Sequence, residues 1–178
     1  MPRLNVVDPT TATGAAKEIF DGPLAGKHFN IFKGLANSPA ALKATLSLKG
    51  ALAEGVLTGA EREIIALTIG ELNGCEYCTA AHTTLGKMAG LTEDQTIAAR
   101  KGDTLGDAKL DTFAAFVRTL HEKRGYVSNE DLDTVKAVGY DDGAIVEIIV
   151  GYAENVLTNF FNHVNESEVD FPAVPALV

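Results

Sequence analysis

Apolar residues recur at three- and four-residue intervals along most of this 178-residue chain, and the breaks between runs fall at glycine, proline and small polar residues. Ser38-Pro39 opens one periodic stretch through Leu42, Leu46, Leu48 and Leu52. Thr58 is followed three residues later by Glu61, the spacing of a capping box, so a helix is predicted from about Gly59 to Asn73. Ile65, Ile69 and Leu72 would share one of its faces, and Asn73-Gly74 would stop it. A second helix should run from about Cys75 to Met88 with Gly90 just past its end, and Thr92-Glu93-Asp94 should start a third. Further helices are predicted at about 10–20, 107–123, 128–138 and 141–165. No stretch alternates for long with the two-residue period of a strand, so the predicted fold is all-α.

No Gly/Ser linker, low-complexity tract or block of like charge divides the sequence, and a single domain over residues 1–178 follows, with its core motif at about 59–90. Sliding the chain along itself by 81 positions pairs Gly70 with Gly151, His82 with His163, Ile64 with Ile145 and Ile65 with Val146. The match fits a duplicated helical hairpin, but two alanine- and isoleucine-rich helices also match this well by chance.

The balance of 46% hydrophobic and 22% charged residues is that of an ordinary globular domain. A net charge of -9 argues against nucleic-acid and anionic-membrane partners, which need a clustered positive field. The N-terminus MPRLNVVDPTTATG lacks the basic start and apolar run of a secretory signal, and a cytoplasmic location is expected. Ala144 to Val164 is long enough to span a bilayer but carries Glu147, Glu154, Asn155, Asn159, Asn162 and His163, and reads as a buried helix without a membrane partner. On it Glu147, Gly151, Glu154, Thr158 and Asn162 form a polar stripe, either a solvated face or a polar seam between subunits. The apolar surplus on the rest of the helix favours a homo-oligomer, and the proline-extended apolar tail from Asp170 to Val178 is expected to lie across a neighbouring subunit.

Both cysteines lie in one segment, Cys75-Glu76-Tyr77-Cys78, with His82 four residues on and Glu63 one helix earlier. A pair three positions apart cannot staple distant parts of a fold, which points to chemistry more than to architecture. At about 100° per residue, a helix starting at Cys75 puts Cys75, Cys78 and His82 within roughly 60° of one another. Its unpaired N–H groups and positive dipole end favour thiolate over thiol. His82, one turn beyond Cys78, is placed to take the thiol proton, and Glu63, folded back by the tight Asn-Gly connection, would orient the imidazole. Dipole reasoning alone favours Cys75 as the more acidic thiol, whereas the histidine one turn away favours Cys78.

Glu63, then Glu71-Leu72-Asn73-Gly74-Cys75-Glu76-Tyr77-Cys78-Thr79-Ala80-Ala81-His82, then Gly90-Leu91-Thr92, resembles the carboxymuconolactone decarboxylase-like superfamily, and within it the alkylhydroperoxidase D-like, peroxidase-related branch. The resemblance covers about residues 29–100, and Asn159 to Pro172 more loosely. It implies an alkylhydroperoxidase D-like helical bundle assembled into trimers or hexamers, acting as a thiol-dependent peroxidase on hydrogen peroxide or organic hydroperoxides. By motif position Cys78 would be the peroxidatic cysteine, Cys75 the resolving one, and His82 with Glu63 the proton relay. A thiol or dithiol reductant would reopen the disulfide, and neither a bound cofactor nor a metal is needed. In the alkylhydroperoxidase proper a second histidine precedes the second cysteine; that position is Tyr77 here, an accessory hydrogen-bond donor or a packing residue.

Other readings are two small buried cysteines without chemistry, a zinc site on Cys75, Cys78, His82 and Glu63, a lactone decarboxylase, and a redox-responsive protein without turnover. Structural zinc draws on two separated ligand pairs, and lactone decarboxylation does not depend on a cysteine pair. Glu71 and Glu76 read as surface charges, His163 as a packed or surface histidine, and His28 and His121 have no partner pattern.

Overall fold

Side-chain caps set most element boundaries. The computed structural model describes residues 1–174 and 177. Among these the chain forms α1 (Gly14–Asp21), α2 (Asn30–Leu35), α3 (Pro39–Ala53), α4 (Gly59–Leu72), α5 (Glu76–Met88), α6 (Glu93–Lys101), α7 (Ala108–Glu122), α8 (Asn129–Ala137) and α9 (Asp142–Asn165), and no strand. Ser38, Thr58, Thr92, Asp107, Ser128 and Asp141 each accept a backbone N–H of the turn they open, and Thr58–Glu61, Thr92–Gln95 and Ser128–Asp131 are full capping boxes. The first helix starts at Gly14 and not at residue 10, because Asp8 Oδ1 takes both the N–H and the hydroxyl of Thr10 and holds that segment in a turn. The six-residue α2, with no side-chain cap, had no sequence signal.

Helix α4 is the axis of the structure and packs against α5, α6, α7 and α9. Ile64, Ile65, Leu67 and Ile69 are all fully buried on it, so apolar residues surround the helix and do not form a single stripe. Each such side chain contributes about 1.5–3 kcal/mol by leaving water. At its end Gly74, with φ of +67°, adopts the left-handed conformation that reverses the chain. Cys75 N–H then donates to Gly70 C=O (2.8 Å) and Gly74 N–H to Glu71 C=O (2.9 Å), a Schellman closure. Close approach of the two hairpin arms follows from Gly70, where an added Cβ would lie 3.4 Å from the Cys78 Cβ. Glu71 is no free surface charge: it pairs at 2.8 Å with Arg100, which is 5% exposed.

The polar stripe of α9 is not a solvated face. Glu154, Thr158 and Asn162 are buried within the chain, and Glu147 accepts the N–H groups of Val56 and Leu57 at the approach to α4. The exposed face instead carries Val146, Ile149, Leu157, Phe160 and Val164. By length and composition α9 could cross a membrane, yet it seats Asn155, Asn159, Asn162 and Asn165 in the interior. The helix also runs unbroken through residues 154–156, where a copy of the Asn73-Gly74-Cys75 turn would have to lie, so the duplicated hairpin is absent. Residues 170–174 of the tail pack on their own chain. Asp170 Oδ2 accepts the N–H of Asn30 at 2.7 Å, and Phe171 stacks on Phe29 with ring centroids 4.6 Å apart. Pro172, Ala173 and Val174 line a cleft with α5 and α6 residues such as Met88 and Ile97. Pro175, Ala176 and Val178 of the expected intersubunit tail lie outside the described residues.

Candidate active site

The hairpin of α4 and α5 gathers the motif residues. Cys75 ends the closure of α4 and is at the same time the N-cap of α5, its sulfur accepting the Cys78 N–H at 3.3 Å. Cys78 therefore occupies the third helical position, inside the first turn, where free N–H groups and the helix dipole favour an anion. The two sulfurs are joined as a disulfide with Cα atoms 5.2 Å apart, and both residues are almost wholly buried, 1% and 2% exposed. Tyr77 and Ala81 pack around them, with Ile31 and Phe171 at the margin. Among the described residues no group of three or more His, Cys, Asp and Glu is arranged to hold a metal ion.

Glu63 on α4 and His82 on α5 meet across the hairpin, with Oε2 and Nδ1 2.7 Å apart and both side chains largely buried. Burial alone would raise the Glu63 carboxyl pKa. The charge and hydrogen bond of His82, helped by Lys49 and Arg62, outweigh it and hold the carboxyl below its ordinary value. A carboxylate bonded to Nδ1 leaves the other ring nitrogen for exchange with a reacting group.

Cys78 and His82 line one cavity of about 440 Å³. Its walls are mostly apolar, including Phe29, Ile31, Phe32, Leu46, Leu85 and Phe171, and Glu154, Thr158 and Asn162 of α9 add a polar side. Cys75 is not among the lining residues. Behind the pair a smaller space of about 150 Å³, lined by Lys49, Arg62, Glu63, His82 and Glu154, reaches the carboxylate from the other side. Tyr77 also faces the large cavity, but its hydroxyl is engaged: it donates to Asp170 Oδ1 (2.7 Å) and accepts the Ile31 N–H (3.3 Å). Burial first, and then the bond to the Asp170 carboxylate, push the phenol pKa far above its ordinary value, so it stays neutral. Its ring meets Phe171 edge-on, centroids 5.8 Å apart, which ties α5 to the tail.

Asn162 is the site residue that sequence reasoning did not single out for chemistry. Its Nδ2 donates to Cys78 Sγ at 3.4 Å. The only signal for it was its place in the α9 polar stripe. His28, His121 and His163 stand elsewhere, against Phe20, Tyr152 and Phe160.

Residues 39–116, from the start of α3 into α7 and including the whole hairpin, match the carboxymuconolactone decarboxylase family. The match is confined to that segment of the chain. Solved structures within its fold include an uncharacterized peroxidase-related protein from Silicibacter sp. TM1040, with 19% identity, a TM-score of 0.81 and coverage of 93% of this chain and 89% of that one. Another is an alkylhydroperoxidase AhpD core, an uncharacterized peroxidase-related protein from Ralstonia eutropha JMP134, with 20% identity, a TM-score of 0.84 and coverage of 95% and 92%. A third is a cysteine-to-alanine variant of the debrominase Bmp8 in complex with 2,3,4-tribromopyrrole, with 17% identity, a TM-score of 0.76 and coverage of 96% and 94%. At these identities the likeness establishes the alkylhydroperoxidase D-like helical fold. No protein of curated function matches the sequence.

Proposed function

We propose that this protein is a member of the carboxymuconolactone decarboxylase-like superfamily and a thiol-dependent peroxidase that reduces organic hydroperoxides in preference to hydrogen peroxide. The observation that carries the reading is the shared cavity: Cys78 and His82 open onto one apolar space, Cys75 stands behind as a helix cap, and Glu63 backs the imidazole. In the reduced protein His82 takes the Cys78 proton, and the thiolate attacks the terminal oxygen of the hydroperoxide. The S–O bond forms, the O–O bond breaks, and the departing alkoxide recovers a proton from His82 to leave as the alcohol. Cys75 then attacks the Cys78 sulfenic acid, releasing water and forming the disulfide seen here.

A dithiol reductant attacking from the cavity reaches Cys78 and expels Cys75 as thiolate. The Cys78 N–H at the helix start is already aimed at the Cys75 sulfur, which stabilises that leaving group. The cytoplasm, rich in such reductants, is the compartment in which this cycle would turn. The exposed apolar face of α9 is the surface we assign to homo-oligomer contact.

A cavity of this size with aromatic walls exceeds what hydrogen peroxide needs and suits a bulky apolar substituent. Incubating reduced protein with cumene hydroperoxide and dithiothreitol should give many turnovers per chain, with a larger kcat/KM than for hydrogen peroxide. Peroxide loss no faster than with reductant alone would overturn the assignment. The aromatic rings Phe29, Phe32, Tyr77 and Phe171 around the same cavity also favour a second reading, thiol-driven removal of halide from a halogenated aromatic ring of the kind bound to Bmp8. Bromide release from a bromopyrrole in the absence of peroxide would support it.

A further inference from the structure

A buried asparagine beside a reactive sulfur needs an explanation, because its carboxamide brings two polar atoms into an interior that a leucine would fill without loss. Asn162 projects from α9 into the cavity wall and is 4% exposed. Its Nδ2 donates to Cys78 Sγ at 3.4 Å, while its Oδ1 is buried with no hydrogen-bond partner among the described residues. A sulfur within a disulfide is a weak acceptor, and an unpaired buried carbonyl oxygen is unfavourable, so the disulfide is the state in which Asn162 is served worst.

The other states of Cys78 serve it better. A thiolate makes the Nδ2–H bond charge-assisted, which lowers the free energy of the ionised sulfur and adds to the effect of the helix start. A sulfenic acid supplies an O–H donor beside the unpartnered oxygen. We propose that Asn162 is a catalytic residue that holds the Cys78 thiolate through Nδ2 and receives the sulfenic O–H through Oδ1. The inference rests on the peroxidase reading for its second half and on the sulfur geometry alone for its first.

The sequence of bonds is balanced. The Cys78 thiolate donates its pair to the terminal hydroperoxide oxygen, sulfur is oxidised by two electrons, and the alkoxide leaves and takes the His82 proton. The hydroxyl retained on sulfur points its hydrogen at Asn162 Oδ1. Attack by Cys75 on Cys78 sulfur expels that hydroxyl, which departs as water with the proton of the Cys75 thiol, and Oδ1 is again unpartnered, as in the disulfide form.

The test uses the Cys75→Ser protein, in which Cys78 cannot close a disulfide. Thiolate formation is followed by its ultraviolet absorbance and by iodoacetamide alkylation against pH, and sulfenic acid lifetime by dimedone trapping after one equivalent of cumene hydroperoxide. Asn162→Ala should raise the thiolate midpoint by about one pH unit, equivalent to an about tenfold loss of thiolate below the midpoint, and shorten the sulfenic lifetime at least several-fold. Asn162→Asp, which keeps acceptor oxygens, loses the donor and adds a charge, should raise the midpoint further and keeps the test available if the alanine variant does not fold. Asn162→Gln should restore part of the shift. An unchanged midpoint in a folded Asn162→Ala or Asn162→Asp variant would overturn the inference, whereas a simple packing role would lower the melting temperature without moving the midpoint. Should the parent protein fail to consume any hydroperoxide while the midpoint still shifts, the peroxidase reading falls and the thiolate assignment stands.

Discussion

Replacing Glu63 with glutamine keeps the shape of the side chain and removes its charge. In the parent protein the carboxylate lies 2.7 Å from His82 Nδ1, with 17% of the Glu63 and 13% of the His82 side chain exposed, so water screens the pair only in part. A hydrogen bond to a charged partner contributes about 1.5–3 kcal/mol. In the proposed cycle that stabilisation is largest when His82 carries the proton taken from Cys78, so its loss would fall on the transition state. At about 1.36 kcal/mol per decade, the second-order rate constant for peroxide should drop roughly 10- to 150-fold. Stopped-flow mixing of fully reduced protein with cumene hydroperoxide in excess, at fixed pH, measures it. A Glu63→Gln protein that melts like the parent and reacts within threefold of its rate would refute the relay.

Three further outcomes follow from the same geometry. Because Glu63 has a lowered carboxyl pKa in the folded state, it contributes stability above the ordinary carboxylate value of about 4.3, which is lost as pH falls through the lower folded value; urea midpoints of parent and Glu63→Gln should converge at acid pH, and a gap undiminished at pH 3 would contradict this. Tyr77→Phe removes the hydroxyl that accepts the Ile31 N–H and donates to Asp170 Oδ1, and should destabilise the chain by about 1–2 kcal/mol in chemical denaturation, with no change counting against the tie between α5 and the tail. Ala81→Phe puts a ring into the cavity and should raise KM for cumene hydroperoxide by about tenfold while changing kcat/KM for hydrogen peroxide less than threefold; equal effects on both would show that the substrate does not use this space.

The helix starts were legible because their capping residues act over three positions of sequence. Thr58 with Glu61 set the start of α4, and Gly74 marked the reversal that brings Glu63 and His82 into register. The cysteine pair was legible for a similar reason, since a helical turn fixes its spacing. What the sequence withheld concerns partners far along the chain. Periodicity showed that Glu154, Thr158 and Asn162 share a face of α9, but not that this face turns inward onto α5. Which face meets the core depends on packing between α9 and α4, where Gly151 lets Ile65 approach. Glu71 looked like a solvated charge because its partner, Arg100, lies 29 residues away on α6. The short α2, uncapped, is held by tertiary contact: a Cβ at Gly34 would come within 2.8 Å of the Phe161 ring.

In the proposed cycle Cys78 attacks the peroxide and Cys75 resolves the sulfenic acid. Treating reduced protein with one equivalent of cumene hydroperoxide, and locating the sulfenic acid by dimedone labelling and peptide mass in the Cys75→Ser and Cys78→Ser variants, distinguishes the two cysteines. The expected result is one label per chain on Cys78 in Cys75→Ser, none in Cys78→Ser, and loss of both thiols per peroxide consumed in the parent. Label on Cys75 with Cys78 untouched would reverse the two roles.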